Sequence, residues 1–230
     1  MNTTRRTLLK RGLVGGAVLA GGAGLVAVVG LPALATSRRV LAPMGEGPFY
    51  PAPAWRERWD ADPRSWGADL TRRWVGGREM QARGETLGLE GVVTDSDGRL
   101  VDGAEVEIWQ CDAMAMYRHP RQGLQPGQFD AAFQGFGALR TDARGALRFR
   151  TIRPVPYPGR TPHIHVKVRH ASFGELTTQL FVAGEPGNAG DFLWRRVADA
   201  DRAVLAMQMQ AAEPASGLRW QVRHTLVVPA

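Results

Sequence analysis

Between residues 87 and 228 the chain alternates short runs of β-branched and apolar residues with polar, Gly-bearing turns. Residues 87–94 close on Asp95-Ser96-Asp97-Gly98, and residues 146–152 follow Asp142-Ala143-Arg144-Gly145. Comparable runs occupy 104–110, 164–169, 177–182 and 219–228. Turn-bounded apolar runs of this length predict strands, and strands at this spacing predict an antiparallel β-sandwich. Between 191 and 210 the period lengthens: Leu193, Val197, Val204 and Leu205 recur at roughly helical spacing and predict one helix. Residues 36–84 are rich in Pro, Trp and Arg and have little sustained period beyond a short helical pattern near 68–74. They read as an arm that wraps the domain formed by 85–230. No internal repeat interrupts this organisation.

The first 35 residues follow none of these patterns. Arg5, Arg6, Lys10 and Arg11 precede an apolar run from Gly12 to Leu34 that is diluted by Gly and Ala. This is the arrangement of a targeting segment, and Thr4-Arg5-Arg6-Thr7-Leu8-Leu9-Lys10 resembles the twin-arginine export motif. Ala33-Leu34-Ala35 supplies the small residues that a signal peptidase requires, so residues 1–35 are expected to be a cleaved leader. The run is also long enough to serve as an uncleaved anchor. With cleavage, the expected location is periplasmic or otherwise extracytoplasmic, with no stable membrane association. Twin-arginine export carries folded proteins, commonly with a cofactor already inserted.

Composition then changes the picture in two ways. The 230 residues are 44% apolar and 22% charged, which argues against disorder and allows one domain with a real core. The net charge of +7 invites a nucleic-acid reading. Four of the 29 cationic side chains and none of the 22 carboxylates lie in the leader, so the remainder carries only +3. No basic stripe interleaved with aromatics occurs there, and no nucleic-acid partner is expected. The single cysteine, Cys111, excludes an intrachain disulfide and a thiolate metal cluster, and reads as a small buried packing residue.

Any metal must therefore be held by other donors. The chain has three tyrosines, Tyr50, Tyr117 and Tyr157, and five histidines, His119, His163, His165, His170 and His224. In a strand residues i and i+2 share a face, so His163 and His165 can address one ion, although a polar pair at a sheet end has the same pattern. Tyr157 lies six residues before His163, in a segment where Pro pre-sets the backbone and Gly permits a tight bend. A phenol there can fold back onto the same ion, or be an ordinary core tyrosine. A site of two imidazoles completed by tyrosinates is all N and O, which suits a hard trivalent cation better than structural zinc.

At these residues the sequence resembles the intradiol ring-cleavage dioxygenases, the superfamily of protocatechuate 3,4-dioxygenase and catechol 1,2-dioxygenase. The resemblance runs through Glu46-Gly47-Pro48-Phe49-Tyr50-Pro51, Glu107-Ile108-Trp109-Gln110 leading to Tyr117-Arg118-His119, Thr141-Asp142 with Gly145, Tyr157-Pro158-Gly159-Arg160-Thr161-Pro162-His163-Ile164-His165, and Thr178-Gln179-Leu180-Phe181. It implies a mainly β fold, a sandwich of the transthyretin (prealbumin) type with one short helix near the C-terminus. It implies mononuclear non-haem Fe(III) held by Tyr117, Tyr157, His163 and His165. It implies that Tyr157 takes a substrate proton, that Arg160 stabilises charge developing on the ring, and that Gln179 positions the substrate or Arg160. Phe49 and Tyr50 would line the pocket mouth. His119 is assigned to the surroundings of the ligands or the surface, and His170 and His224 to structure or exposure.

The implied reaction is cleavage of a catechol-type aromatic diol by O2 to a cis,cis-muconate-type diacid, by a chain that could form oligomers. Two departures bear on this. Gly159 stands where protocatechuate dioxygenases carry a longer, aromatic-bearing insertion, and the long helical N-terminal domain of catechol 1,2-dioxygenases is missing. Both fit a compact, exported member. A second reading is a non-catalytic extracytoplasmic transthyretin-like binding module, since Gly91-Val92-Val93, Asp97-Gly98 and Gly103-Ala104-Glu105-Val106 resemble such sandwiches too. Those modules have no need of both tyrosines, the His pair and the Arg.

Overall fold

A computed structural model describes residues 38–59, 65–122, 125 and 127–230; the leader, residues 1–35, lies outside them. In chain order the elements are helix α1 (Pro53–Trp59) and strands β1 (Arg72–Val75), β2 (Arg78–Gln81), β3 (Thr86–Asp95), β4 (Glu105–Trp109), β5 (Phe136–Arg140), β6 (Ala146–Ile152), β7 (His163–His170) and β8 (Gly174–Val182). Helix α2 (Asp199–Leu205) follows, then β9 (Ala206–Met207), β10 (Gln210–Ala211) and β11 (Trp220–Val228). The strands form a four-stranded sheet, β10-β11-β3-β6, a five-stranded sheet, β5-β4-β7-β8-β9, and the separate hairpin β1-β2.

The two larger sheets share one apolar core. Leu87, Leu89 and Val93 of β3, Phe149 of β6 and Val222 of β11 join Val106 and Ile108 of β4, Ile164, Val166 and Val168 of β7 and Leu180 of β8, all nearly inaccessible. Alternation along each strand supplies these residues, because every second side chain faces the opposite sheet. In β7 this gives Ile164, Val166 and Val168 to the core and turns His163, His165, Lys167 and Arg169 to the other face.

The segment after residue 38 lies along the sheets. The Leu41 amide donates to Val227 O (3.0 Å), the Met44 amide to Thr177 O (2.7 Å), and Thr178 Oγ1 to Ala42 O (2.7 Å). Leu41 and Leu70 are fully buried in the shared core. Residues 41–44 thus pack against strands of both larger sheets.

Three expectations need correction, and one strand is new. The sheets are mixed: β11 runs parallel to β3 and β9 parallel to β8. Parallel neighbours arrive by long crossovers, which turn signals do not announce. The helical pattern near 68–74 is instead the start of the β1-β2 hairpin, turned by Gly76 and Gly77 at φ 58 and 78. Two adjacent residues of positive φ make the tight turn that suits two twisted strands. The helix expected over 191–210 contracts to α2, because Val197 and Ala198 are extended and Ala206 leaves the helix to pair with Phe181. Strand β5, with a glycine and only one bulky aromatic, has too weak a pattern to be read from sequence.

Candidate metal centre

The centre sits on the outer face of the five-stranded sheet, where β4, β7 and β8 place Trp109, His165 and Gln179 side by side in register. Trp109 stacks on His165 with ring centroids 4.7 Å apart at 12°. His163 precedes by two residues on the same face, its ring 4.9 Å from that of His165.

The two phenols come from loops. Tyr117 follows β4 through a turn organised by Asp112, whose carboxylate accepts the Met114, Met116 and Asp130 amides at 2.8, 3.0 and 2.6 Å. Tyr157 opens a turn closed by the Arg160 amide donating to Tyr157 O at 2.8 Å. Pro158 pre-sets that turn, and Gly159 at φ 80 takes the conformation a side chain would resist. The rings of Tyr117 and Tyr157 meet edge to face at 5.6 Å.

These four side chains converge. Tyr117 Oη lies 3.1 Å from His165 Nε2 and 3.4 Å from His163 Nε2, all in buried surroundings. His163 Nδ1 is 2.6 Å from the carbonyl of Thr161, which only accepts, so Nδ1 carries the proton and Nε2 turns a lone pair inward. Tyr117 has one proton for two imidazoles. His165 Nδ1 is buried without a hydrogen-bond partner, so whichever tautomer His165 adopts, polar capacity is left unspent.

Electrostatics point the same way. Burial, then the nearby Arg160 charge, lowers His163 to about 4. Burial, His163 and Arg160 together hold His165 well below the usual imidazole range. Burial raises the Tyr117 phenol well above its ordinary value, and raises Tyr157 against the opposing pull of Arg160. At neutral pH the cluster is therefore four neutral, desolvated N and O donors with no anion among them. A buried cation at their meeting point would satisfy the spare lone pairs and draw the phenols into their anionic form. The donor set fits a hard trivalent metal. Among the described residues no group of three or more His, Cys, Asp or Glu side chains is placed to hold a metal, so the phenols are required to complete a site.

Arg160 stands beside this cluster. Its Nη1 donates to Tyr157 Oη at 3.3 Å, its Nη2 to Gln179 Oε1 at 2.5 Å, and its Nε to Asp191 Oδ2 at 2.8 Å. Phe49 stacks on Tyr117 at 4.7 Å and 21°. Tyr50 is carried elsewhere: its hydroxyl donates to Glu107 Oε2 at 2.8 Å and accepts from Arg169 Nη2 at 2.9 Å, and its ring packs on the edge of Trp109 at 5.0 Å. His119 is 9% exposed, between Phe49 and Trp55, so it is not a surface group. His170 and His224 lie away from the cluster, bonded to Ser172 and to the carbonyl of Val204. Cys111 is buried, and burial pushes its thiol up to about 12.

Sequence reasoning missed the stacking role of Trp109, the Thr161 carbonyl that fixes the His163 tautomer, and Asp191. Only the first had a local signal, since Trp109 sits on the same strand face as Glu107 and Glu105.

A family model described as a dioxygenase matches residues 65–227. The protocatechuate 3,4-dioxygenase beta chain of Burkholderia cepacia is 32% identical over 163 residues, covering 66% of this chain and 68% of that one. Hydroxyquinol 1,2-dioxygenase of Corynebacterium glutamicum is 34% identical over 124 residues, 46% of this chain and 38% of its own length, so this chain spans well under half of that relative. Among solved structures, the dioxygenase domain of a dioxygenase carbohydrate-binding protein fusion from Streptomyces sp. SirexAA-E is 26% identical with a TM-score of 0.59, covering 84% of this chain and 99% of that one. An intradiol ring-cleavage dioxygenase from Tetranychus urticae, 18% identical with a TM-score of 0.61 over 84% and 95% of the two chains, shares the fold.

Proposed function

Because the chain belongs to the intradiol ring-cleavage dioxygenases, we propose that it cleaves a catechol-type aromatic diol with O2 to a cis,cis-muconate-type diacid, using one Fe(III) held by Tyr117, Tyr157, His163 and His165. The observation that carries this is the convergence of those four neutral donors with polar capacity left over. Bound ferric iron would supply Lewis acidity towards the two adjacent diol oxygens and draw electron density from the ring, opening it to O2.

The chain's own residues do the rest. Tyr157 is the less buried phenol and rides on a tight turn; drawn into its anionic form by a bound cation, its Oη would be the base that takes a diol proton. Arg160, fixed beside Tyr157, faces negative charge that grows only as the ring reacts, the condition under which a preorganised cation is most effective. Gln179 steadies that guanidinium through Nη2. His163 keeps its lone pair inward through Thr161, and Trp109 stacked on His165 fixes the plane of the second imidazole. Phe49 covers the Tyr117 ring and keeps water from it.

A non-catalytic binding sandwich has no use for buried imidazoles with spare lone pairs. The leader motif at Thr4–Lys10 supports an extracytoplasmic place of action, and no helix among the described residues is long and apolar enough to cross a membrane. The test is oxygen uptake by the iron-loaded chain on catechol, protocatechuate and hydroxyquinol. A reddish protein that consumes O2 with at least one of them is expected, together with a large loss and an altered visible spectrum in Tyr157→Phe. A colourless chain that retains no iron overturns the reading.

A further inference from the structure

Asp191 lies about thirty residues beyond Tyr157 and bonds to none of the four donors, yet its carboxylate accepts four hydrogen bonds. The side chain is fully buried, and its ion-pair partner Arg160 is 8% exposed. The two oxygens divide their work. Oδ1 accepts the Leu193 and Trp194 amides at 2.9 and 3.0 Å, closing the turn of its own segment. Oδ2 accepts Arg160 Nε at 2.8 Å and the Thr161 amide at 3.0 Å, reaching across to the loop that carries Tyr157.

With Nε committed to Asp191, the planar guanidinium has one remaining orientation, Nη1 on Tyr157 and Nη2 on Gln179. Thr161 is held twice to the same segment, by its amide to Asp191 and by Oγ1 to Asn188 Oδ1 at 2.8 Å. Its carbonyl in turn fixes His163. One carboxylate therefore sets both the aim of Arg160 and the backbone from which the His163 tautomer is controlled.

We propose that Asp191 is a positioning residue for the ring-cleavage reaction, acting through Arg160 by holding Nε so that the guanidinium faces the Tyr157 phenol. This rests on the function proposed above. An acid that only braces its loop would affect stability without depending on which residue stands at 160. An acid that aims Arg160 loses its catalytic effect once the arginine is gone.

The experiment is a double-mutant cycle on the iron-loaded chain with catechol: Asp191→Asn, Arg160→Ala and the pair. Asp191→Asn is expected to lower kcat/KM by about 10-fold to 100-fold, the range found for partners of site residues. Most of the loss caused by Asp191→Asn should then vanish in the Arg160→Ala background. Losses that multiply, or full turnover in Asp191→Asn, would overturn the proposal. If Asp191→Asn does not fold, Asp191→Glu replaces it, keeping the charge but displacing it by one methylene. A lowered kcat with an unchanged melting temperature supports the proposal, and an unchanged kcat overturns it.

A second readout needs no turnover. In metal-free protein the Arg160 Nε–H should give a slowly exchanging NMR resonance, identified by its loss in Arg160→Ala, and Asp191→Asn should abolish it. A resonance that survives Asp191→Asn overturns the proposal. A wild-type chain that cleaves no diol would defeat the proposed function, and this resonance would then decide the role of Asp191 by itself.

Discussion

Two halves of one strand face bury polar groups in opposite ways. At the far end of β7, Lys167 and Arg169 meet a full complement of acids: Lys167 pairs with Glu46 and with Glu175 at 3.5 Å, and Arg169 with Glu105 and Glu107 at 3.1 Å each and with Glu175 at 2.8 Å. Tyr50 joins them, bonded to Glu107 and lying under the Lys167 ammonium at 3.9 Å. At the near end, two residues along, His163 and His165 meet phenols and each other, and the buried carboxylate of Asp191 is spent on Arg160. Buried charge that is matched within the chain is structural. Buried donors left unmatched have room for something the chain does not itself supply, and a set of four N and O donors would fit a hard cation.

The contrast can be broken by exchanging what each half loses. His163→Leu or Tyr117→Phe should cost the most in function: iron content should fall below one per chain, and turnover by more than about 100-fold, beyond what loss of an outer partner causes. Metal analysis and oxygen uptake measure both, while the melting temperature of metal-free protein should change little. Glu107→Gln, in the matched half, should do the reverse. It strips a charged partner from Arg169 and Tyr50 and should lower stability by about 1.5–3 kcal/mol in urea unfolding, with iron still bound.

Acid sharpens the difference further. His163 is held neutral in the fold down to about 4, whereas an unfolded imidazole takes a proton near 6.5. The stability linked to it is whole above that value and drains as pH falls from there towards 4. The expected slope is about 1.4 kcal/mol per pH unit for each such imidazole. Urea midpoints of metal-free protein at a series of pH values should fall over that window, and His163→Gln should flatten the curve. Stability that rises on acidification would contradict the near half of the comparison. The smallest effect belongs to Lys167→Met. Its partners Glu46 and Glu175 are nearly half exposed and can hydrate when it goes, so a change within about 1 kcal/mol is expected.

The amino-acid sequence makes the inward half of this design legible. Alternation in β7, and turn chemistry around β6, place core residues correctly because burial of one face is enforced within each strand. What depends on distant partners is not written locally. The parallel pairing of β11 with β3 needs a crossover, and the truncation of α2 follows from Ala206 being claimed by Phe181. In the site, His163 and His165 share a face by spacing alone, and the Pro158-Gly159 turn brings Tyr157 back. Tyr117 is legible only through the family resemblance, since nothing in its own segment aims it at the imidazoles. Tyr50, from the same motif as Phe49, is held by charges on β4 and β7 that its own segment does not announce, with its ring against Trp109.

The central claim is that the unmatched cluster holds iron for intradiol cleavage. Turnover of catechol by the iron-loaded chain under isotopically labelled O2, with the product read by mass spectrometry, tests it most directly. The account predicts a ring-opened diacid carrying both atoms of one O2 molecule. A quinone, or an aldehyde from cleavage outside the diol, would contradict it.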